Sequence, residues 1–326
     1  MKSQRRAMSR GLGLLLTGVV ASAVFAFGEA TAQNYPTKPI ELVAWASPGG
    51  GSDIMCRAFS KAAEGIVPQP LVVVNKKGGG GAVGMAYVQG RPADGYTLLG
   101  VTNNLLYTPL SNKDFKYSYR DFEPILMWGY DPKCIAVAAS SPYRSLQDFI
   151  AAAKAAPGKL KIGTFGPGTD DHVTGYLLGK KAGVEFGFVP FDSGGEILAA
   201  LLGGHIAAQI TEVAEVKSQM DAGKVRILAV ATEKRTSSLP EVPTFAESGY
   251  AVVVPKFRGL TVKKGTPPPI VDYWIQHSLQ AVKTPQFQKY QKDNFVEASF
   301  LSGKDFAKLL EGEEQVIAPV LKELGF

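Results

Sequence analysis

The chain predicts an α/β fold built as two lobes, and three observations carry that reading. Short apolar and β-branched runs alternate with helix-length stretches along most of the 326 residues. The 294 residues that follow a leader-like N-terminus exceed what one simple sheet needs. No internal repeat, low-complexity tract or long flexible linker interrupts them.

The elements follow in order. Ile40 to Ala46, apolar but for Glu41, reads as a buried strand, and Gly49-Gly50-Gly51 turns it into a helix that Ser52 or Asp53 can cap. Further strands are expected at 71–75, 96–102, 134–139, 160–164, 187–191, 206–210, 226–231 and 258–262. Between them fall helices at 52–64, 81–90, 145–155, 172–182, 194–203 and 213–222. Thr266-Pro267-Pro268-Pro269 reads as an extended segment entering a helix at 268–281. Helices at 284–292 and 302–323 close the chain, with Gly325 just past the last. This alternation predicts mainly parallel sheets covered on both faces, with the chain crossing between lobes near 131–135 and again near 230–234. A ligand then belongs in the crevice at the carboxyl ends of the strands.

The N-terminus has every part of a secretory signal. Lys2, Arg5, Arg6 and Arg10 form the basic region, Gly11 to Gly28 the apolar core, and Ala30-Thr31-Ala32 the cleavage site. Ala7-Met8-Ser9 fits poorly behind the arginine pair for twin-arginine export, so ordinary secretion with cleavage after Ala32 is expected. That places the mature chain in the periplasm. The net charge of +6 falls to +3 without residues 1–32, too weak for nucleic acid. Cys56 and Cys134 would meet an oxidising compartment, as a disulfide or as two buried thiols; the second reading is favoured.

Four strand-end loops share one chemical character: Ser47 to Asp53; Thr102-Asn103-Asn104; Thr164-Phe165-Gly166 on to Thr169-Asp170-Asp171-His172; and Asp192-Ser193-Gly194-Gly195-Glu196. Hydroxyls, amides and bare N–H groups at helix starts, with the positive end of the helix dipole, satisfy a carboxylate without a buried arginine. Taken singly, each loop is also an ordinary helix cap; their recurrence at the same end of successive strands favours a site. The candidate ligand-binding residues are Trp45, Ser47, Gly50, Gly51, Ser52, Asp53, Asn103, Asn104, Thr164, Phe165, Gly166, Thr169, His172, Asp192, Ser193, Gly194, Thr211 and Arg258. Arg258 is either a fixed charge in the crevice or a structural ion pair. Trp45 and Phe165 either wall the pocket or pack a core.

Other chemistries fit less well. Gly79-Gly80-Gly81-Ala82-Val83-Gly84 satisfies G-x-G-x-x-G, but no strand-end acid follows at the offset a dinucleotide needs. Asp192-Ser193-Gly194-Gly195 echoes a protease nucleophile segment without its preceding glycine or its partners. No metal-binding spacing occurs, and neither a metal nor a cofactor is expected.

Tyr35-Pro36-Thr37-Lys38-Pro39-Ile40 followed by Pro48-Gly49-Gly50-Gly51-Ser52-Asp53 resembles the mature start of tripartite tricarboxylate transporter substrate-binding proteins, the Bug or TctC-like receptors. The resemblance continues through Val74 to Gly81, Pro92 to Leu98, Leu201 to Ile206, Ala222 to Arg226 and Leu239 to Thr244, essentially the whole mature chain. It implies a type II-like periplasmic binding protein: lobe 1 from 33–132 plus 232–326, lobe 2 from 133–231, with a ligand cleft between them. It implies a monomeric receptor that closes on a small carboxylate and delivers it to large and small integral-membrane transporter subunits. Ser47 to Ser52 is similar to the segment that holds one carboxylate, with Asp53 bracing it; Thr164 to His172 and Asp192 to Gly195 match the second-lobe contacts. Phe191-Asp192 and Thr211-Glu212 depart from the family pattern, and a polyanion would meet Asp170, Asp171, Asp192 and Glu212 unless they face away. The expected ligand is a mono- or dicarboxylate, aromatic if Trp45 and Phe165 stack on it. The rivals are a periplasmic hydrolase using Ser193 and a sensor for a membrane kinase.

Overall fold

The computed structural model describes residues 35–191 and 193–326; the expectations placed on the leader, 1–32, and on Asp192 lie outside the described residues. The chain enters through β1 (Ile40–Ala44) and α1 (Gly51–Ala62), then β2 (Leu71–Asn75), α2 (Ala82–Gln89), β3 (Thr97–Val101) and α3 (Asn104–Ser111). A ten-residue strand, β4 (Phe122–Asp131), runs through Pro132 straight into β5 (Lys133–Ala138). There follow α4 (Leu146–Ala155), β6 (Lys161–Thr164), α5 (Asp170–Ala182), β7 (Gly187–Pro190), α6 (Gly194–Leu202), β8 (Ala208–Glu212), α7 (Val213–Asp221) and β9 (Val225–Val230). The chain returns through β10 (Lys256–Lys263) and ends with α8 (Pro268–Ala281), α9 (Pro285–Asp293), β11 (Glu297–Ser302) and α10 (Gly303–Glu323).

Two sheets result, six strands in the order β11-β4-β10-β3-β1-β2 and five in the order β7-β6-β8-β5-β9. Both are mixed rather than mainly parallel. Four strand pairings are parallel and five antiparallel, because the crossing strands β4, β5 and β10 enter against the others. The first crossing falls at Pro132, where the sequence put it. The return comes at Pro255 and Lys256 instead of near 230–234. Between β9 and that point Phe245 N–H bonds to Val230 O, and Leu239, Val242, Phe245, Val252 and Val254 pack into the second sheet's layers.

Strands buried on both faces explain the continuous apolar runs. Successive residues feed opposite layers: Leu42 joins Phe59, Trp128, Trp274 and Phe287, while Val43 joins Met85, Leu105, Phe257 and Phe306. In the second sheet Ile135 and Val137 face Phe149, Leu178 and Phe245, whereas Cys134 and Ala136 face Ile197, Val213 and Ile227. Cys56 and Cys134 are free and buried, in different layers. No helix among the described residues is long and apolar enough to cross a membrane.

Candidate functional site

Topology gathers the helix starts. β1, β2 and β3 are mutually parallel through β1, so α1, the Gly79–Gly81 turn before α2, and α3 all begin along one rim of the first sheet. β6, β7 and β8 are parallel through β6, so α5, α6 and α7 begin along one rim of the second. The crossings lie at the same ends: Lys133 pairs with Glu212 at the close of β8, and Gly259 of β10 with Val101 at the close of β3. The two rims therefore flank the hinge, each with the helix-start N–H groups that an α-helix leaves without an intrahelical partner.

In the first rim, Asp53 shapes the glycine loop. Its Oδ2 accepts Gly49 N–H at 2.9 Å and Arg57 Nε at 2.8 Å, and its Oδ1 accepts Asn75 Nδ2 at 2.8 Å. Asn75 also donates to Ala46 O at 2.9 Å, tying the loop to β2. Burial alone would raise this carboxyl; the Arg57, Gly49 and Asn75 hydrogen bonds overrule it and hold it below the usual range. Gly50 N–H bonds Ser47 O, and Gly50 O accepts Ile54 N–H, which leaves the Gly51, Ser52 and Asp53 amides as the open first turn of α1. Ser47 and Gly51 are exposed, whereas the Ser52 side chain is buried beside Cys56.

Trp45 is half-buried and lines a small apolar hollow with Met85, Leu99, Val101, Thr102 and Asn104. Its ring lies beside Gly81, where a Cβ would stand 3.7 Å from two ring carbons. Gly78 to Gly81 all take positive φ (129°, 55°, 63° and 110°), which explains their composition, and Gly80 O accepts both Asn104 Nδ2 and Thr108 Oγ1 at 2.7 Å. Asn103 does not open onto the crevice. It is 1% exposed, with Nδ2 on Pro255 O at 2.6 Å and Oδ1 accepting Phe257 N–H at 2.9 Å, a latch between the first rim and the returning strand.

In the second rim, Thr169 Oγ1 closes the turn on Gly166 O at 2.6 Å, and Phe165 N–H donates to Asp171 Oδ2 at 2.5 Å. Gly166 has φ 134°. Thr164 is buried at the end of β6. The Phe165 side chain packs with Ile197 and Leu201 in the second sheet's own layer. His172 Nδ1 accepts Gly168 N–H at 3.1 Å, which leaves Nε2 as the protonated nitrogen, and burial lowers its pKa. Its ring stands edge-on to Phe188 at 4.6 Å. Ser193 Oγ accepts Glu196 N–H at 3.3 Å as the cap of α6, and Gly194 opens that helix. Thr211 Oγ1 donates to Glu215 in the first turn of α7.

The hinge between the rims is charged and largely buried. Lys133 Nζ, 1% exposed, lies 3.0 Å from both Asp170 Oδ2 and Glu212 Oε1, and Lys256 Nζ reaches the same Glu212 oxygen at 2.7 Å. Burial would lower Lys133, but the Asp170, Glu212 and Asp171 carboxylates raise it well above the ordinary lysine value. Burial would raise Glu212, but Lys133 and Lys256 hold it well below the carboxylate range. Asp171, with burial as its main influence, is pushed up to about 6. Arg258 belongs to this hinge: Nε bonds Asp131 Oδ1 at 2.6 Å and Nη1 bonds Gly51 O at 3.0 Å, so it braces the start of α1 through an ion pair. Asp170 and Glu212 thus face lysines. Sequence reasoning missed Asp131, Lys133, Lys256 and Glu215; the signal was a lysine placed directly against the apolar run Cys134 to Ala138.

Comparison with known proteins fits this arrangement. Residues 55–326 match the profile of the tripartite tricarboxylate transporter family receptor (TctC). A Cupriavidus necator protein, described as the UPF0065 protein in the gbd 5′ region, is 31% identical over 94% of this chain and 95% of its own length. BugT of Bordetella pertussis is 30% identical over 83% of this chain and 84% of its own. The solved structure of a TctC solute-binding protein from Polaromonas is 32% identical, with a TM-score of 0.77 over 89% of this chain and 99% of that one. The R. palustris protein Rpa4515, solved with adipate, is 27% identical, with a TM-score of 0.81 over 89% and 98%. The chain belongs to the tripartite tricarboxylate transporter receptor family, the TctC/Bug solute-binding proteins.

Proposed function

We propose that this protein is a periplasmic receptor that captures a small mono- or dicarboxylate between its two lobes and delivers it to a membrane transporter of large and small subunits. The observation that carries the reading is the open first turn of α1, Gly51 to Asp53, held in shape by Asp53 and by the Arg258–Gly51 bond, opposite the helix starts of the second rim. The adipate-bound R. palustris relative supports a carboxylate as the ligand class. The Ala30-Thr31-Ala32 cleavage pattern supports export. Delivery follows from the family and from a lobe closure that only a ligand touching both rims favours. The Ser193 hydroxyl caps α6, which supports a structural part for it within a binding protein.

A thermal-shift screen of the mature protein against aliphatic and aromatic carboxylates tests this. A true ligand at ~100-fold its Kd stabilises by ~2.7 kcal/mol, an upward Tm shift of about 4 °C for a chain of this length. Failure of every carboxylate to raise Tm, or conversion of one to product, overturns the reading.

A further inference from the structure

Glu215 stands where the second rim meets the crevice, and neither the sequence reading nor the receptor role accounts for it. It is the third residue of α7, and its side chain turns toward the start of α6 instead of outward. A Cβ built on Gly194 would sit 2.8 Å from Glu215 Oε2 and 3.2 Å from its Cδ, so the carboxyl group lies directly over the first residue of α6. Thr211 Oγ1 donates to that same oxygen and fixes the side chain across the gap between the two helices. The residue is nevertheless exposed, unlike Thr211 (2%) and Glu212 (4%), the last two residues of β8. Its carboxyl group is largely covered by Thr211, Gly194 and the Glu212–Lys256–Lys133 hinge although the residue as a whole is exposed, which sets it at the edge of the second rim.

The start of α6 is a natural place for the second carboxylate of a ligand whose first is held at Gly51. In this chain the protein's own carboxyl group already lies there. Resting on the receptor reading above, we propose that Glu215 is a specificity-determining residue: it disfavours a second carboxylate at the far end of the pocket and favours a monocarboxylate bearing a hydrogen-bond donor there, a hydroxyl, amide or ammonium group. The physics is exclusion more than attraction. Two carboxylates forced together in a cleft of low effective dielectric repel strongly, whereas a donor completes the free lone pairs that Thr211 leaves on Glu215. Burial and the Glu212 charge push this carboxyl up to about 7, the cost of holding it in that place even before a ligand arrives.

Calorimetric titration of the mature wild-type protein and of Glu215→Gln, at about pH 8 where the carboxylate is charged, decides the matter. The probes are matched sets of three to six carbons: the simple monocarboxylate, its ω-hydroxy and ω-amino derivatives, and the dicarboxylate. Wild type should bind the best ω-hydroxy or ω-amino acid at least about tenfold tighter than the dicarboxylate of equal length. Glu215→Gln should narrow that ratio about tenfold, chiefly by admitting the dicarboxylate and weakening the ω-amino acid. Wild type binding a dicarboxylate as tightly as its ω-substituted partners overturns the proposal and leaves the receptor reading standing; so does an unchanged ratio in the variant. Failure of all the sets to bind, with aromatic carboxylates also inert in the thermal screen, brings down both. The wild-type ratio needs no variant, so poor folding of Glu215→Gln does not shelter the idea.

Discussion

Replacing Asp53 by alanine removes the keystone of the first rim. Asp53 is 2% exposed and receives three donors: Gly49 N–H at 2.9 Å, Asn75 Nδ2 at 2.8 Å and Arg57 Nε at 2.8 Å. Hydrogen bonds to an ionised group contribute roughly 1.5–3 kcal/mol each when their partner is buried. The Arg57 side chain is 55% exposed, so its ion pair adds at most about 1 kcal/mol. Asn75 keeps its bond to Ala46 O, which softens the loss. The net expectation is about 3 kcal/mol, which at ~2.1 cal/mol/K per residue lowers Tm by about 5 °C. The affinity for whichever carboxylate the screen identifies should fall at least about tenfold, because the loop that aims the α1 amides loses its brace. The pH dependence adds an independent arm. Asp53 has a native pKa below its unfolded value, so the unfolded state binds more protons between the two and stability rises with pH through that window. The contribution is complete above about pH 5 and disappears as pH falls through the lowered native value, so wild type and Asp53→Ala should converge in Tm as pH falls below the ordinary carboxylate range. Scanning calorimetry from acid to neutral pH reads both quantities. A Tm within about 1 °C of wild type at neutral pH, or a gap that does not close in acid, refutes the reasoning.

Three further outcomes follow from the same geometry. Glu212→Gln strips Lys133 and Lys256 of a shared anion in a buried hinge and should cost about 3 kcal/mol or more in urea unfolding; a loss under about 1 kcal/mol would show that water already screens the hinge. Ser193→Ala should cost about 1 kcal/mol as a lost helix cap while ligand affinity stays within about threefold of wild type; a collapse of binding would mean that the hydroxyl touches the ligand. Both thiols should stay unreactive toward a thiol reagent in the native state and titrate together on unfolding, since Cys56 is buried and pushed up to about 12 and Cys134 is raised further; rapid labelling of either contradicts their burial.

Where local pattern decides structure, the sequence was legible. The boundaries of β2, α8 and the capped helices follow from apolar runs, Pro268–Pro269 at a helix start and Gly325 beyond the last helix. β4 was missed, and it contains Pro124 and Gly129, residues that strands usually avoid. In the structure Pro124 pairs beside a register shift, and Gly129 lets β11 approach so closely that a Cβ would stand 2.6 Å from Glu297 O. Pro109 likewise hid α3, and β11 is a half-exposed edge strand with no apolar run to betray it. The glycine loop was legible because its chemistry is local; the bracing part of Asp53 came from the family resemblance, since the residues alone suggested a helix cap and the cap position is Gly50. Asn103 and Arg258 were not legible, because their partners lie 152 and 127 residues away, at Pro255 and Asp131. The buried Lys133–Glu212–Lys256 group escaped for the same reason: charge pairing across a hinge is a property of topology, which one strand's composition does not encode.

The central claim is that main-chain donors at the start of α1 hold the carboxylate while the far end of the same ligand meets the second rim. Amide NMR of the isotopically labelled protein, titrated with the best carboxylate from the screen, tests it most directly. The account predicts that the Gly51, Ser52 and Asp53 amides shift together with Gly194 and Gly195 along a single saturating curve. Shifts confined to one rim, or to surfaces away from both, contradict it.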